Sequence, residues 1–427
     1  MWRASGSAVA AASVSGRGTS AAAAAAAGPA PKVLVLAGPT AVGKTATSLE
    51  LSALLGGGEV VSADSVQVYR RMDVGTGKLP AAQRRGVEHH LLDVLEPSEQ
   101  YSAADFFAAA RDKTQAILAR AKVPLVVGGT GMWLRWYVHG GASTGPTTAA
   151  SRAAAKARVQ AAVAGVEGEG KAADAERWEA ATRLLAEAGD PETARGLHAN
   201  DYFRLERALE ILAVTGQPRS ANNLDVSAPL DYDFRCYFLA PKERVDLYRS
   251  IDLRCEEMLL GGLLTEAQEL LQTDGPGKTV ASAIGYRQAA DYLRRCAEEA
   301  AGDPDWEPTW ADFRAFAEHF MASTRSFAQD QFTWFKKDPM YKWIFTDGDP
   351  AAAARAILAE FEKPAHEPED VRPALVLTKE QQRRLKCYRP EFQRLGDAGA
   401  QAQVLAQVKG IVAELTAAAR AAEPRFS

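Results

Sequence analysis

Three short stretches of this 427-residue chain carry residue types that do chemistry at the spacing that chemistry needs. The first, Gly38-Pro39-Thr40-Ala41-Val42-Gly43-Lys44-Thr45, fits G-x-x-x-x-G-K-[ST] at every fixed position. Such a loop turns successive backbone N–H groups and the start of a helix towards one anion. Lys44 adds a mobile positive charge, and the Thr45 hydroxyl is placed to ligand Mg²⁺ carried by the phosphates. Nothing here demands phosphoryl transfer. A nucleotide or a departing diphosphate would be held equally well, and both readings stand on the loop alone.

The second stretch is SADSVQVYRRMDVGTGK, Ser62 to Lys78. Asp64 ends a strand beside the loop, where it is either a magnesium ligand of the Walker-B kind or a general base aimed at an incoming nucleophile. Ser65 and Gln67 are uncharged bonding groups, and an amide such as Gln67 has the donor–acceptor pair that reads an adenine edge. Arg70, Arg71 and Lys78 form a basic loop just beyond. The third stretch, VGGTGMWLRW, brings two glycines before Thr130. They let backbone approach a ligand and leave the hydroxyl at the sheet edge, although a plain tight turn would use the same glycines. Trp133 and Trp136 read as packing residues. His89 and His90 lack the H-E-x-x-H spacing and read as structural or surface residues.

These stretches must be positioned by strands. Lys32–Gly38, Glu59–Ser65 and Val123–Gly131 contain short continuous apolar runs, as in parallel strands buried on both faces. Leu51, Leu54 and Leu55 share a helical face before a glycine stop, and Ser102-Ala-Ala-Asp105 is a capping box opening a helix through Ala121. The alternation predicts an α/β fold, with a P-loop NTPase-like parallel sheet flanked by helices and ligand chemistry at the carboxyl ends of the strands. All three stretches sit at such ends. From about Gly140 to Gly216 the pattern is helical, with Leu205, Ala208, Leu209 and Leu212 on one stripe and Arg204 and Arg207 on another face. A brief strand is expected at Tyr237–Ala240, then long helices at Arg244–Leu271 and Phe313–Lys337.

The expected organisation is a leader at 1–31, a catalytic core from 32–140 and 231–345, a helical insertion at 141–230, and a C-terminal extension of unsettled order at 346–427. The leader is rich in Ala and Ser, and the first acidic residue of the chain is Glu50. That suggests an organellar transit peptide, with a cytoplasmic protein bearing an Ala-rich leader as the alternative. Formal net charge is −4, so any nucleic acid must be met by local basic patches. No apolar run has the length of a membrane helix. Cys236, Cys255, Cys296 and Cys387 show no zinc spacing and read as reduced thiols.

Taken together, GPTAVGKT, SADSVQVYRRMDVGTGK, GVEHHLLDV and VPLVVGGTG resemble the tRNA dimethylallyltransferases, also called tRNA isopentenyltransferases. The resemblance continues in order through NDYFRLERALEILAVTGQPRS, LYRSIDLRCEEML, AIGYRQAADYL and STRSFAQDQFTWFKKDPMYKW, spanning roughly residues 32 to 345. The later blocks are most similar to a plant-type branch. What it implies is Mg²⁺-dependent transfer of a dimethylallyl group from dimethylallyl diphosphate to N6 of the adenosine 3′ of the anticodon, a modification that is also a source of cis-type cytokinins. By this resemblance Asp64 is the base and Thr130 aligns amine and donor. The Gly38–Thr45 loop and Arg325 hold the diphosphate, and Thr45 meets Mg²⁺ through it. Asp64, Ser65 and Gln67 contact the flipped base, and Arg204 and Arg207 contact the anticodon stem-loop. A monomer is expected. Where the family usually reads Ala-Lys-Arg-Gln, this chain has Ala328-Gln329-Asp330-Gln331, which removes two positive charges. The alternatives are a related transferase acting on free AMP, ADP or ATP, and a small P-loop kinase.

Overall fold

The computed structural model describes residues 30–140, 148–222, 230–272, 276–371 and 375–422. All but the last two residues of the expected leader, and so the organellar reading that rests on it, lie outside that range.

Six strands form one sheet: β1 (Lys32–Ala37), β2 (Glu59–Ala63), β3 (His89–His90), β4 (Pro124–Gly128), β5 (Asp233–Pro241) and β6 (Lys342–Thr346). Their order is β3-β2-β4-β1-β5-β6, and every pairing is parallel. The runs VLVLA, EVVSA and PLVVG are buried throughout, as a sheet covered on both faces requires. β5 is longer than the Tyr237–Ala240 strand expected from sequence. β6 had no sequence signal because, as an edge strand, it is only partly buried.

The chain leaves β1 for β2 on one side of the sheet and leaves β4 for β5 on the other. Strand order therefore reverses between β1 and β4, which are direct neighbours. A crevice must open there beyond their carboxyl ends. Gly128 is level with both Ala37 and Ala63, so the three loops that follow β1, β2 and β4 leave the sheet together.

Helices α1 (Lys44–Leu54), α2 (Ala103–Ala119) and α3 (Gly131–His139) belong to this sheet domain. The Ser102–Asp105 capping box opens α2 as expected. Leu51 packs inward on α1, but Leu54 is exposed, so the leucine face is narrower than predicted. Four helices follow in the insertion: α4 (Ala149–Val163), α5 (Lys171–Ala188), α6 (Pro191–Gly196) and α7 (Tyr202–Thr215). They close their own core of Ala155, Val159, Ala181, Leu185, Leu205, Ala208 and Leu209. Trp178 meets Tyr202 edge-on at 5.2 Å beside it.

The expected single helix Arg244–Leu271 is two, α8 (Arg244–Gly261) and α9 (Leu263–Leu271). They break at Gly262, whose φ of 117° is open to glycine and strained for other residues. Next come α10 (Tyr286–Gly302), α11 (Trp310–Phe335), α12 (Pro350–Phe361), α13 (Lys379–Lys386) and α14 (Ala398–Ala422). The region from 346 onward is no loose appendage among the described residues. Ala354, Ile357, Leu395, Val404, Val408 and Val412 all enter the main core. Glu256 of α8, fully buried, accepts hydrogen bonds from the backbone N–H groups of Gln393, Arg394 and Leu395 at 2.7–3.0 Å. A buried carboxylate met by three donors is well compensated, and here it ties the C-terminal segment to the core.

Candidate active site

The Gly38–Thr45 loop folds because its glycines sit where side chains cannot. A Cβ on Gly38 would lie 2.7 Å from the Leu239 carbonyl oxygen, and Gly43, which caps α1, has φ 96°. Lys44 Nζ donates to the carbonyls of Gly38 and Pro39 at 2.9 and 2.8 Å, so the loop closes on its own lysine. Desolvation, reinforced by the nearby Arg254 guanidinium and opposed by the Asp64 carboxylate, brings the Lys44 ammonium down to about 7. Lysine, arginine and carboxylate thus share one electrostatic environment. Thr45, the second residue of α1, is exposed with its hydroxyl at the helix start.

Across the crevice, Asp64 lies just past the end of β2. Its Oδ1 accepts from the N–H groups of Val66 and Gln67 at 2.9 and 3.3 Å. That holds the turn with one oxygen and leaves the second for other partners. Thr130 follows β4 and begins α3, but its hydroxyl does not cap that helix. It accepts instead from the Ser65 N–H at 3.2 Å, which brings Thr130 beside Asp64. Gln67 is spoken for at both ends of its amide: Nε2 donates to the Thr76 carbonyl at 3.1 Å, and Oε1 accepts from Ser62 Oγ at 3.3 Å. Asp64, Ser65, Gln67 and Thr130 therefore assemble with the cradle around one crevice.

Two residues that sequence reasoning missed join them. Arg254 of α8 donates to the same Thr76 carbonyl at 3.2 Å, and burial lowers its affinity for a proton while Asp64 restores some of it. Gln331 of α11, buried, accepts from the Thr40 N–H at 2.9 Å and donates to the Gly129 carbonyl at 3.1 Å. Both carry the same overlooked sequence signal. Arg254 occupies the buried stripe of Leu247, Ile251 and Met258, and Gln331 that of Ala328, Phe332 and Phe335. A polar group set into an apolar stripe is costly unless it has a partner, and so points to a site.

The structure also redirects several expected residues. Arg325 is ion-paired with Asp252, which in turn accepts from the Tyr388 hydroxyl at 2.8 Å. Its guanidinium lies over the Tyr388 ring at 5.4 Å. Arg204 pairs with Asp201, its own helix cap, and Arg207 pairs with the buried Glu210 at 2.5 Å. Glu210 also accepts from Ser151 Oγ, so Arg207 helps join α7 to α4 rather than standing free. The expected basic loop is neutralised as well. Arg70 and Arg71 pair with Glu96, and Lys78 is buried between Asp73 and Asp93. Gln329, one of the two charge-removing changes, donates to the Tyr248 hydroxyl, while Asp330 is exposed.

Trp133 stacks on Phe106 at 4.6 Å and is packing, as read. His90 meets the buried Glu59 at 2.8 Å, and His89 contacts the Val87 carbonyl at 2.8 Å. Glu59 opens β2 at the opposite end of the sheet, where a cavity of about 600 Å³ is lined by Glu59, His90, Arg120 and Lys122. Those charges satisfy one another, and that cavity is remote from the cradle. Among the described residues no three His, Cys, Asp or Glu side chains gather to hold a metal. Cys236, Cys255 and Cys296 are buried free thiols and Cys387 is exposed. No described helix is long and apolar enough to cross a membrane.

A parallel sheet with a phosphate cradle after β1 and polar groups after β2 and β4 defines a P-loop-type α/β protein. Comparison with known proteins narrows this. The IPP transferase family profile matches residues 67–338, and an isopentenyl transferase profile matches residues 31–97. The chain is 38% identical over 346 residues to tRNA dimethylallyltransferase 9 of Arabidopsis thaliana, covering 73% of this chain and 71% of that one. It is 35% identical to the tRNA dimethylallyltransferase of Protochlamydia amoebophila over 78% of this chain and 89% of the relative. Among solved structures, a eukaryotic dimethylallyltransferase acting on tRNA superposes with TM-score 0.60 at 25% identity, covering 81% of this chain and 84% of that one. The full-length tRNA isopentenylpyrophosphate transferase of Bacillus halodurans superposes with TM-score 0.51 at 32% identity, over 78% and 97% respectively. The chain belongs to the IPP transferase family.

Proposed function

We propose that this protein transfers a dimethylallyl group from dimethylallyl diphosphate to N6 of an adenosine in tRNA, the one 3′ of the anticodon. The observation that carries this reading is that the anion cradle after β1 and a carboxylate and a hydroxyl joined through Ser65, after β2 and β4, leave the sheet at one level, with Lys44 close enough to feel the Asp64 charge. Relatives at 38% and 35% identity are named for the same transfer to tRNA.

In this mechanism the Gly38–Thr45 backbone, Lys44 and Arg254 bind the diphosphate. Bond formation from N6 to carbon 1 accompanies cleavage of the carbon 1–oxygen bond, and the diphosphate leaves into the cradle, which stabilises the charge that grows on it. An exocyclic adenine amine is a weak nucleophile because its lone pair is delocalised into the ring. Asp64, through the oxygen not committed to the turn, takes the N6 proton. Thr130 orients the amine, and Ser65 and Gln67 line the slot for the extruded base. Mg²⁺, a hard cation that takes oxygen ligands, would be held by the Thr45 hydroxyl at the start of α1 together with the diphosphate it accompanies. When bound it neutralises diphosphate charge. Arg325 acts by bracing α8 through Asp252.

The test is incubation with dimethylallyl diphosphate and Mg²⁺, offering unmodified tRNA in one arm and AMP, ADP and ATP in the other. Nucleoside mass spectrometry then identifies the acceptor. A five-carbon gain on tRNA adenosine alone is expected. Gain on free nucleotides alone would assign the chain to nucleotide prenylation, and ATP turnover with no gain would make it a kinase or NTPase.

A further inference from the structure

We propose that Gln331 is a positioning residue that sets the distance between the diphosphate cradle and the Thr130–Asp64 side of the crevice. The inference rests on the transferase reading above. The ladder between β1 and β4 ends at Ala37 and Gly128, before the reacting groups begin. Past that point, Thr130 is tied to β2 by its own hydroxyl and, at 3.4 Å, by its N–H to the Ala63 carbonyl. Among the described residues, the hydrogen-bonded tie from the cradle to the β4 turn runs through one side chain, Gln331. Its amide accepts from the cradle at Thr40 and donates to the turn at Gly129.

The amide is suited to this because it offers one acceptor and one donor in a rigid plane. It is only 5% exposed, and its neighbours Ala328, Phe332 and Phe335 are buried with it, so α11 cannot easily roll. The glycines of the turn are shaped to receive the helix. A Cβ on Gly129 would sit 2.3 Å from Gln331 Nε2, and one on Gly131 would sit 2.2 Å from the Trp334 ring. The Gly-Gly-Thr-Gly sequence thus makes room for α11 as well as placing Thr130. Thr40 and Gly129 belong to the two walls that must hold carbon 1 and N6 in near-attack contact, where an error of about 1 Å costs on the order of 10²-fold in rate.

Two variants test this, each checked for cooperative thermal unfolding. Gln331→Met keeps the length but cannot donate and accepts only weakly through sulfur. Its kcat for transfer to an anticodon stem-loop should fall about 10- to 100-fold, with KM for the donor changed by less than about threefold. Gln331→Glu is read against pH. A carboxylate accepts from Thr40 but cannot donate to Gly129, whereas the protonated acid does both, as the amide does. Its kcat relative to wild type at the same pH should therefore rise as pH falls, while the Gln331→Met ratio stays flat. A folded Gln331→Met protein with kcat within about threefold of wild type overturns the proposal, as does a Gln331→Glu ratio that stays as low as that of Gln331→Met at every pH; a Gln331→Glu ratio near one throughout, from an acid kept protonated by burial, supports it. If the wild-type protein transfers nothing, the transferase reading fails and takes this proposal with it. A working wild type beside unaffected variants removes the proposal alone.

Discussion

Replacing Asp64 by asparagine isolates proton transfer from architecture. The Asp64 turn depends on Oδ1, which accepts from Val66 and Gln67, and asparagine supplies an oxygen of the same reach. What disappears is the negative charge and the second oxygen that would take the N6 proton. General-base catalysis is typically worth on the order of 10²–10⁴-fold, or about 3–5 kcal/mol of transition-state stabilisation. The expected outcome is a fall of that size in kcat. Asp64 also raises the proton affinity of Lys44 and Arg254. Without it Lys44 deprotonates more readily, so donor affinity should begin to fall at a lower pH than in wild type. The assay is single-turnover transfer to an anticodon stem-loop, paired with calorimetric binding of inorganic diphosphate. Transfer within a few-fold of wild type would remove Asp64 from the role of base. An equal loss in diphosphate binding at pH 6.5 would make it a cradle residue instead.

Other expectations follow from the same charges and contacts. With the Lys44 ammonium at about 7 in the free protein, diphosphate affinity, once corrected for the ligand's own ionisation in the same range, should be flat well below pH 7 and fall above it as the cation is lost, by up to about tenfold per unit. Lys44→Met should flatten that slope, with proton uptake on binding abolished in calorimetry. Burial alone would raise Glu59, but hydrogen bonds from Arg120, Lys122 and His90 overcome it and hold the carboxyl at about 2. Folded pKa below unfolded pKa means the stabilisation is present above about 4.5 and is lost as pH falls towards 2. Chemical denaturation across that window should show a smaller decline for Glu59→Gln than for wild type. Glu256→Leu should cost about 2–4 kcal/mol by leaving three backbone donors unmatched. Limited proteolysis should then cut the segment after Arg389 first.

Much of this site could be read in one dimension because each part is local. A phosphate loop, a strand ending in aspartate and a glycine turn bearing threonine are each specified by contiguous residues, and alternation of strands and helices implies that they share a sheet edge. The charged contacts were harder to read. Arg204, Arg207 and Arg325 are arginines in suggestive places, but each found a carboxylate: Arg204 and Arg207 three residues away, at Asp201 and Glu210, and Arg325 at Asp252, 73 residues off and hidden by sequence distance. The opposite error concealed Arg254 and Gln331, polar residues on apolar stripes whose partners lie on other elements.

The amino-acid order alone determined the cradle, the aspartate and threonine at the strand ends, and the insertion with its own apolar stripe, because backbone conformation and hydrophobic period are properties of neighbouring residues. Only the folded chain decided which charges remain available, which helices support the two walls, and that α12 and α14 complete the core. Pairing and desolvation depend on which surfaces meet, and those meetings are set by packing across the whole molecule rather than by any one segment.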